Sequence, residues 1–343
     1  MKAIVYERAG VGALREIPYP ECGDDDVVIK VVVCGICKGA ELGHSRNGTA
    51  FSRYPVTPGH EFAGYVDKVG KNVKDFKVGD RVTADNAVPC GECWYCRANK
   101  PSLCKNLGYL GHNIPGGFAE YVKSDYRRVL KLPDNMTFEQ GAIVETVACC
   151  IAAVDKLKPA FGENIAVFGA GPSGLIISQL VHHSSALSCT CVASTQEKLD
   201  ILAAKGINTI LMDRDNHQAY IDEIFRRFPE GLDAFVDATA SPQLVAENFA
   251  LLKRGGRAVQ YGVFRNGVHL DFNAQMFFGR QLTYTVSGIQ THCFGRAIDY
   301  IASGKVEVDS MITAQYPLED YFTALDRVAN DRKVLKILIR PQS

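Results

Sequence analysis

The sequence predicts an α/β protein in two parts, a β-rich domain followed by a doubly wound parallel sheet. Three observations lead there. The chain has 343 residues, too many for one ordinary core and suited to two domains of roughly 100–200 residues each. Its texture changes near residue 150, from short strand-like runs broken by Gly and Pro to strands alternating with helices. A strand-like run, Ile165-Ala166-Val167-Phe168, also enters Gly169-Ala170-Gly171-Pro172-Ser173-Gly174, the spacing of a dinucleotide-binding turn.

In chain order, residues 3–6, 26–33, 64–69, 78–84 and 116–122 read as strands of a largely antiparallel domain with long functional loops. Beyond residue 150 the pattern gives a strand over 164–168, a helix over 173–183, a strand over 188–193 and a helix over 196–205. A strand over 233–237, a helix over 242–252 and strands over 257–262 and 281–286 follow. One helix near 293–303 and a strand over 336–339 close the chain. This last stretch is expected to pack back onto the first domain, because about 50 residues make a poor core alone.

Thirty-eight Lys+Arg balance thirty-eight Asp+Glu, which argues against nucleic-acid or membrane-surface partners, since both favour a basic excess. No apolar run approaches the roughly 20 residues of a membrane-spanning helix. Acid and base within the first ten residues, without an apolar leader, point to a cytoplasmic protein. Twelve cysteines in a reducing compartment read first as metal ligands or redox groups.

Four of them, Cys90, Cys93, Cys96 and Cys104, lie within fifteen residues. Two-residue gaps fold the chain around one point, and four thiolates leave no coordination position open, so a zinc here is structural; an Fe–S cluster is the alternative. A second group combines Cys37, which follows a strand, with His60 and Glu61 in Pro58-Gly59-His60-Glu61 and with Glu145 at the end of the β region. Thiolate, imidazole and carboxylate suit a catalytic zinc. Taken alone, Gly-His-Glu also fits a turn with a hydrogen-bonded histidine.

At the glycine turn, Gly169 makes the tight bend, Gly171 admits a pyrophosphate and Gly174 allows close helix–strand packing, with Pro172 and Ser173 opening the helix. The position about twenty residues on decides the ribose partner. Ala193 stands there, followed by Ser194, Thr195 and then Lys198. With no carboxylate, and hydroxyls beside a lysine, the site favours NADP(H) over NAD(H).

Together these residues resemble the zinc-dependent medium-chain dehydrogenase/reductase family, which includes alcohol, sorbitol and other polyol dehydrogenases. The resemblance spans Gly35-Ile36-Cys37, the 59–64 run, the Cys90–Cys104 lobe, Gly169–Gly174 and Gly255-Gly256-Arg257. It implies a GroES-like catalytic domain formed by 1–154 and 291–343, interrupted by a Rossmann domain over 155–290. It further implies two zincs per chain, with Cys37, His60 and Glu145 as catalytic ligands and Glu61 either ligating or adjacent. The implied reaction passes a hydride between the cofactor and a secondary alcohol or polyol/ketone pair, the zinc acidifying the alcohol. The partners are then small molecules, and the assembly a homodimer or homotetramer, pairing along 259–263 and 281–287.

One departure stands out. Relatives carry a Ser or Thr two residues after the cysteine as a proton relay, whereas here the run is Cys37-Lys38-Gly39-Ala40-Glu41. His44 becomes the candidate relay, with direct exchange through water as the alternative, and Lys38 a candidate for the cofactor pyrophosphate. Phe51, Trp94, Tyr109, Phe118 and Met276 are candidate pocket walls or ordinary packing. Two other readings stand beside this one: a zinc-independent quinone-reductase-like enzyme, and a non-catalytic relative with a binding or structural role. The seven remaining cysteines read as small apolar packing residues.

Overall fold

The computed structural model describes residues 1–265 and 267–342. It divides into two compact units, Met1–Ala148 with Gln290–Ser343, and Cys149–Ile289.

In the first unit a seven-stranded sheet runs Ile312–Pro317, Lys336–Arg340, Asp26–Gly35, Glu61–Val69, Arg81–Ala84, Val129–Lys131, with Tyr121–Asp125 also paired to Asp26–Gly35. Only the pairing of Ile312–Pro317 with Lys336–Arg340 is parallel. Ile4, Tyr6, Val27, Ile29, Phe62, Val82, Phe118, Tyr321 and Ile337 pack into one core. The expected strand over 116–122 starts only at Tyr121, because the amides of Gly116, Gly117 and Phe118 donate to Thr57, Gly59 and Pro58 carbonyls instead of a ladder. The expected strand over 78–84 likewise starts at Arg81, after a turn at Gly79 (φ +90°).

Helix α1 (Lys38–His44) follows the strand Asp26–Gly35. Helix α2 (Phe138–Leu157) occupies twenty residues that the sequence texture assigns to the β region. Residues 141–148 of α2 are all buried, so the helix carries no polar stripe and its period is invisible. Its start is encoded locally. Gln140 N–H donates to Thr137 Oγ1 at 3.1 Å and Thr137 N–H to Gln140 Oε1 at 3.0 Å, a reciprocal capping box. Near the C-terminus, helix Phe294–Ala302 matches the single helix expected there. A second, Tyr321–Asn330, buries Tyr321, Ala324, Leu325 and Val328, the one-sided period that marks it as a helix.

The second unit is a six-stranded parallel sheet. Its strands are β1 (Asn164–Phe168), β2 (Ser188–Ala193), β3 (Asn208–Leu211), β4 (Leu232–Asp237), β5 (Leu252–Gln260) and β6 (Thr283–Val286), ordered β3-β2-β1-β4-β5-β6. Helix α3 (Pro172–His182) follows β1 and α4 (Gln196–Ala203) follows β2. Strand β3 and the helix His217–Arg227 complete the alternation where the sequence reading left a gap. The helix expected over 242–252 stops at Asn248, since Leu252 already pairs with Leu232 in the sheet. The strand order reverses between β1 and β4, the place where doubly wound sheets bind ligands at their carboxyl ends.

Candidate active site

Among the described residues, two clusters of side chains have metal-ligand chemistry, and both lie in the first unit. In the first, the Cys93–Cys96, Cys93–Cys104 and Cys90–Cys104 sulfurs are 3.6, 3.9 and 3.5 Å apart. A zinc tetrahedron with Zn–S of about 2.3 Å has edges of about 3.8 Å, so four thiolates fit one ion here. The N–H groups of Cys90 and Cys93 donate to Cys104 Sγ and Cys90 Sγ at 3.3 and 3.4 Å, which favours the thiolate form.

The second cluster is built by strand register. Gly35 pairs with Glu61, so Cys37, at the N-cap of α1, meets His60 and Glu61 across the ladder. One ligand atom from each lies within 4.8 Å of the others. Gly59, at φ +96°, turns the chain immediately before His60; a Cβ there would sit 2.8 Å from Cys34 Sγ. Glu145 is reached from helix α2, within the stretch that the sequence reading took as the end of the β region. Its Oε1 accepts from Asn86 Nδ2 at 2.9 Å, and Gln290 Nε2 donates to Asp85 Oδ1 at 2.8 Å beside it.

Glu61 is held from the far end of the chain. Lys336 Nζ lies 2.8 and 2.6 Å from its two carboxylate oxygens, and Thr146 Oγ1 donates to Oε1 at 3.1 Å. Glu41, fully buried, accepts from Cys37 N–H at 2.7 Å through Oε2. Its Oε1 lies 3.9 Å from His60 Nδ1, beyond hydrogen-bond reach, and among the described residues neither atom has a hydrogen-bond partner. With the Glu41 carboxyl group on the Nδ1 side, Nε2 is the nitrogen left to face a metal.

The field reflects this crowding. Burial, with Glu61 close by, pushes the Cys37 thiol up to about 11, and burial pushes Glu41 up to about 8. Burial opposes charge on His60, but Glu145, Glu41 and Glu61 outweigh it and raise its pKa. Cys37, His60 and Glu61, with one ligand atom each within 4.8 Å of the others, form a donor set of thiol, imidazole and carboxylate that fits a zinc ion.

His44 is fully buried and its Nδ1 lies 3.1 Å from Tyr54 Oη and 3.4 Å from Ser52 Oγ. Ser52 Oγ meets Thr49 Oγ1 at 2.8 Å, and Thr49 Oγ1 meets His112 Nδ1 at 3.0 Å. The His112 ring centroid is 5.2 Å from that of His60 and 5.1 Å from that of Tyr109. Burial lowers His44 to about 4 and His112 to about 2, so both rings are neutral near pH 7.

In the second unit, a cavity of about 570 Å³ opens over the carboxyl ends of β1, β2 and β4, lined by Gly169, Gly171, Ala193, Ser194, Thr195 and Lys198. Gly171 is the N-cap of α3, with Pro172 in its first turn; a Cβ on Gly171 would meet nothing within 4 Å, whereas one on Gly174 would sit 1.9 Å from Gly169 O. The glycine facing the cavity thus leaves room for a phosphate, and the other makes close packing possible. Ser173 Oγ donates to Tyr261 Oη at 3.1 Å. Arg214 also lines the cavity and donates from Nε to Ser194 Oγ at 2.9 Å.

Other sequence expectations separate. Lys38 is exposed at the start of α1. Phe51 stacks on Tyr109 with centroids 5.7 Å apart, whereas Phe118 lies in the core and Trp94 sits exposed against Tyr95. Met276 packs against the core of the second unit. Of the seven other cysteines, Cys34, Cys150, Cys189, Cys191 and Cys293 are buried, and Cys22 and Cys149 half-buried. Cys293 does more than pack, since Arg296 Nη2 donates to its sulfur at 3.2 Å. Sequence reasoning missed Lys336, Asn86, His112, Thr49, Ser52 and Arg214, none of which lies in a motif.

Comparison with known proteins gives a consistent picture. Residues 23–134 match the alcohol dehydrogenase GroES-like domain model and residues 172–303 the zinc-binding dehydrogenase model. The chain is 33% identical to D-arabinitol dehydrogenase 1 of Uromyces fabae, covering 99% of this chain and 97% of that protein. It is 31% identical to D-arabitol-phosphate dehydrogenase of Enterococcus avium, with the same coverage of 99% and 97%. A zinc-binding dehydrogenase from Sinorhizobium meliloti 1021, solved bound to NADP, superposes with a TM-score of 0.91 at 30% identity, over 99% of each chain. No described helix is long and apolar enough to cross a membrane.

Proposed function

We propose that this chain, which belongs to the zinc-dependent medium-chain dehydrogenase/reductase family, transfers a hydride between NADP(H) and a secondary alcohol or polyol with its ketone. The family makes it a zinc-type oxidoreductase of small molecules; the cofactor, the ligand roles and the substrate class are our reading. The observation that carries it is the second cluster, in which Cys37, His60 and Glu61 converge in one buried place.

Charge supports this ligand set. A divalent ion is balanced by the Cys37 thiolate and the Glu145 carboxylate, Glu61 is balanced by Lys336, and Glu41 is held toward its neutral form. Such a site can be buried without net charge. When bound, zinc supplies Lewis acidity toward a substrate oxygen and the nicotinamide supplies the hydride acceptor. The chain's residues orient and neutralise. Asn86 holds Glu145, and Lys336 restrains Glu61. A zinc-independent relative has no use for this set, and a purely structural one has no use for an open glycine turn over a cavity. The same family relation supports a homodimer or homotetramer, paired along the sheet edge at β6.

For the cofactor, Ser194, Lys198 and Arg214 along one cavity wall suit a 2′-phosphate. Replacing Arg214 by Ala is expected to lower the NADPH-to-NADH ratio of kcat/KM about tenfold, the value of one charged hydrogen bond. A wild-type enzyme preferring NADH tenfold overturns the NADP(H) reading. The general test is zinc content together with NADPH consumption over a panel of ketones: two zincs per chain and turnover support the proposal, and one zinc or no turnover rejects it.

The proton released on oxidation is assigned to the chain containing His44. His44→Ala is then expected to shift the pH–rate profile, and an unchanged profile removes His44 from the path. Among relatives, one is named for free arabinitol and another for arabitol phosphate, so a phosphate on the polyol is one distinction for the substrate panel to cover.

A further inference from the structure

We propose that His112 donates a hydrogen bond to a hydroxyl group of an uncharged polyol, so that the substrates of this chain are free polyols and not their phosphate esters. This rests on the dehydrogenase reading above.

The argument begins with proton bookkeeping along the buried chain. Ser52 Oγ accepts the Thr49 N–H at 2.9 Å, so its own proton goes to Thr49 Oγ1 at 2.8 Å. The Thr49 proton then goes to His112 Nδ1 at 3.0 Å, and that of Tyr54 to His44 Nδ1 at 3.1 Å. In this arrangement every hydroxyl proton meets an acceptor within 3.1 Å; the reverse order needs the 3.4 Å contact between Ser52 and His44. In this arrangement His112 Nδ1 accepts, so its hydrogen is assigned to Nε2.

Among the described residues no hydrogen bond uses His112 Nε2, while Nδ1 is committed to Thr49. The ring is nearly buried at 6% exposure and packs between His60, Tyr109 and His44. Phe51, 40% exposed and stacked on Tyr109, carries the aromatic wall out to solvent. A ligand entering along that wall meets, next to the metal-ligand histidine, a fixed N–H donor. Among the described residues this N–H has no partner, and a substrate hydroxyl supplies one.

The same contacts argue against a phosphate. The polar side-chain partners of His112, Thr49, Ser52, His44 and Tyr54 all come from within this set. Among the described residues neither guanidinium nor ammonium takes part in these bonds, and Lys336 is engaged by both oxygens of Glu61. A phosphate ester needs a cation, or several N–H groups aimed at one point, and this wall offers one N–H.

The test compares three substrates with the zinc-loaded enzyme: a five-carbon polyol, its terminal phosphate ester, and 2-pentanol, which lacks the neighbouring hydroxyls. The wild type is expected to favour the polyol over the phosphate ester by at least about tenfold in kcat/KM. His112→Phe is expected to lower the polyol-to-2-pentanol ratio about tenfold or more, and His112→Asn, which keeps an N–H donor, to recover part of it. A ratio unchanged in both variants, or a preference for the phosphate ester, overturns the proposal alone. Turnover of none of the three overturns the dehydrogenase reading as well.

Discussion

Cys37→Ala is expected to remove turnover and one of two zincs per chain while leaving the other in place. The two clusters share no residue, and the four-thiol lobe closes on itself through sulfurs 3.5–3.9 Å apart, so losing Cys37 does not reach it. At the other site the loss is severe. Cys37 is the thiolate of the set, and the remaining donors are one imidazole and carboxylates already engaged by Asn86, Lys336 and Thr146. Lewis-acid assistance is worth several kcal/mol of transition-state stabilisation, so kcat/KM should fall about a thousandfold or more. Metal analysis and steady-state rates on the same sample check this. A variant that keeps both zincs, or one that loses zinc yet turns over within tenfold of wild type, removes Cys37 from the chemistry. A wild type with one zinc turns attention to the zinc-independent reading.

The site's legibility in the sequence followed the distance between its parts. The four thiols sit on one short loop, so their spacing alone describes a tetrahedron. Cys37 lies just after one strand and His60 just before its neighbour, and the antiparallel register of those two strands brings them together; the strand before Cys37 and the Pro-Gly-His turn hint at this. Glu145 was recognisable only as a carboxylate in the right order along the chain. Its helix is buried on every side over 141–148, so no period marks it, although the Thr137–Gln140 capping box does lie in the sequence. Glu41, four residues after Cys37, reaches the Nδ1 side of His60 only through the turn that opens α1, a placement that no motif spells out. Lys336 lies 275 residues from its partner, and only the closing of the sheet by the C-terminal strand brings it there. His112 was invisible for a related reason. Its role depends on Thr49 and Ser52, two small hydroxyl residues in a loop whose fold no local pattern announces. In the second unit β1, β2 and the glycine turn were readable from apolar runs and punctuation, whereas Arg214 enters the cavity from the loop after β3, a strand too short and too exposed to stand out.

Lys336→Met is expected to be the most destabilising single change at the site. The ammonium and the Glu61 carboxylate are about 4% and 1% exposed, and the nearest oxygen lies 2.6 Å away. Removing one partner of such a pair strands the other charge, at a cost of about 3–5 kcal/mol. Here the stranded carboxylate also faces the charge on Cys37 and Glu145. The melting transition should fall by on the order of 10 °C, given the size of the unit that holds the pair. The informative comparison is the double variant Glu61→Gln with Lys336→Met, which removes both charges. If the pair's weight lies in mutual compensation, the double variant melts well above the single one, although it has lost more native contacts. If the two melt together, the loss belongs to packing around the lysine stem, and Lys336 is a core residue with a charged end. Lys336→Arg separates a third case, since it keeps the charge but brings a planar fork into a space shaped for an ammonium. A stable Arg variant with altered zinc affinity would mean that this position sets where Glu61 rests relative to the metal, and not only whether the unit folds.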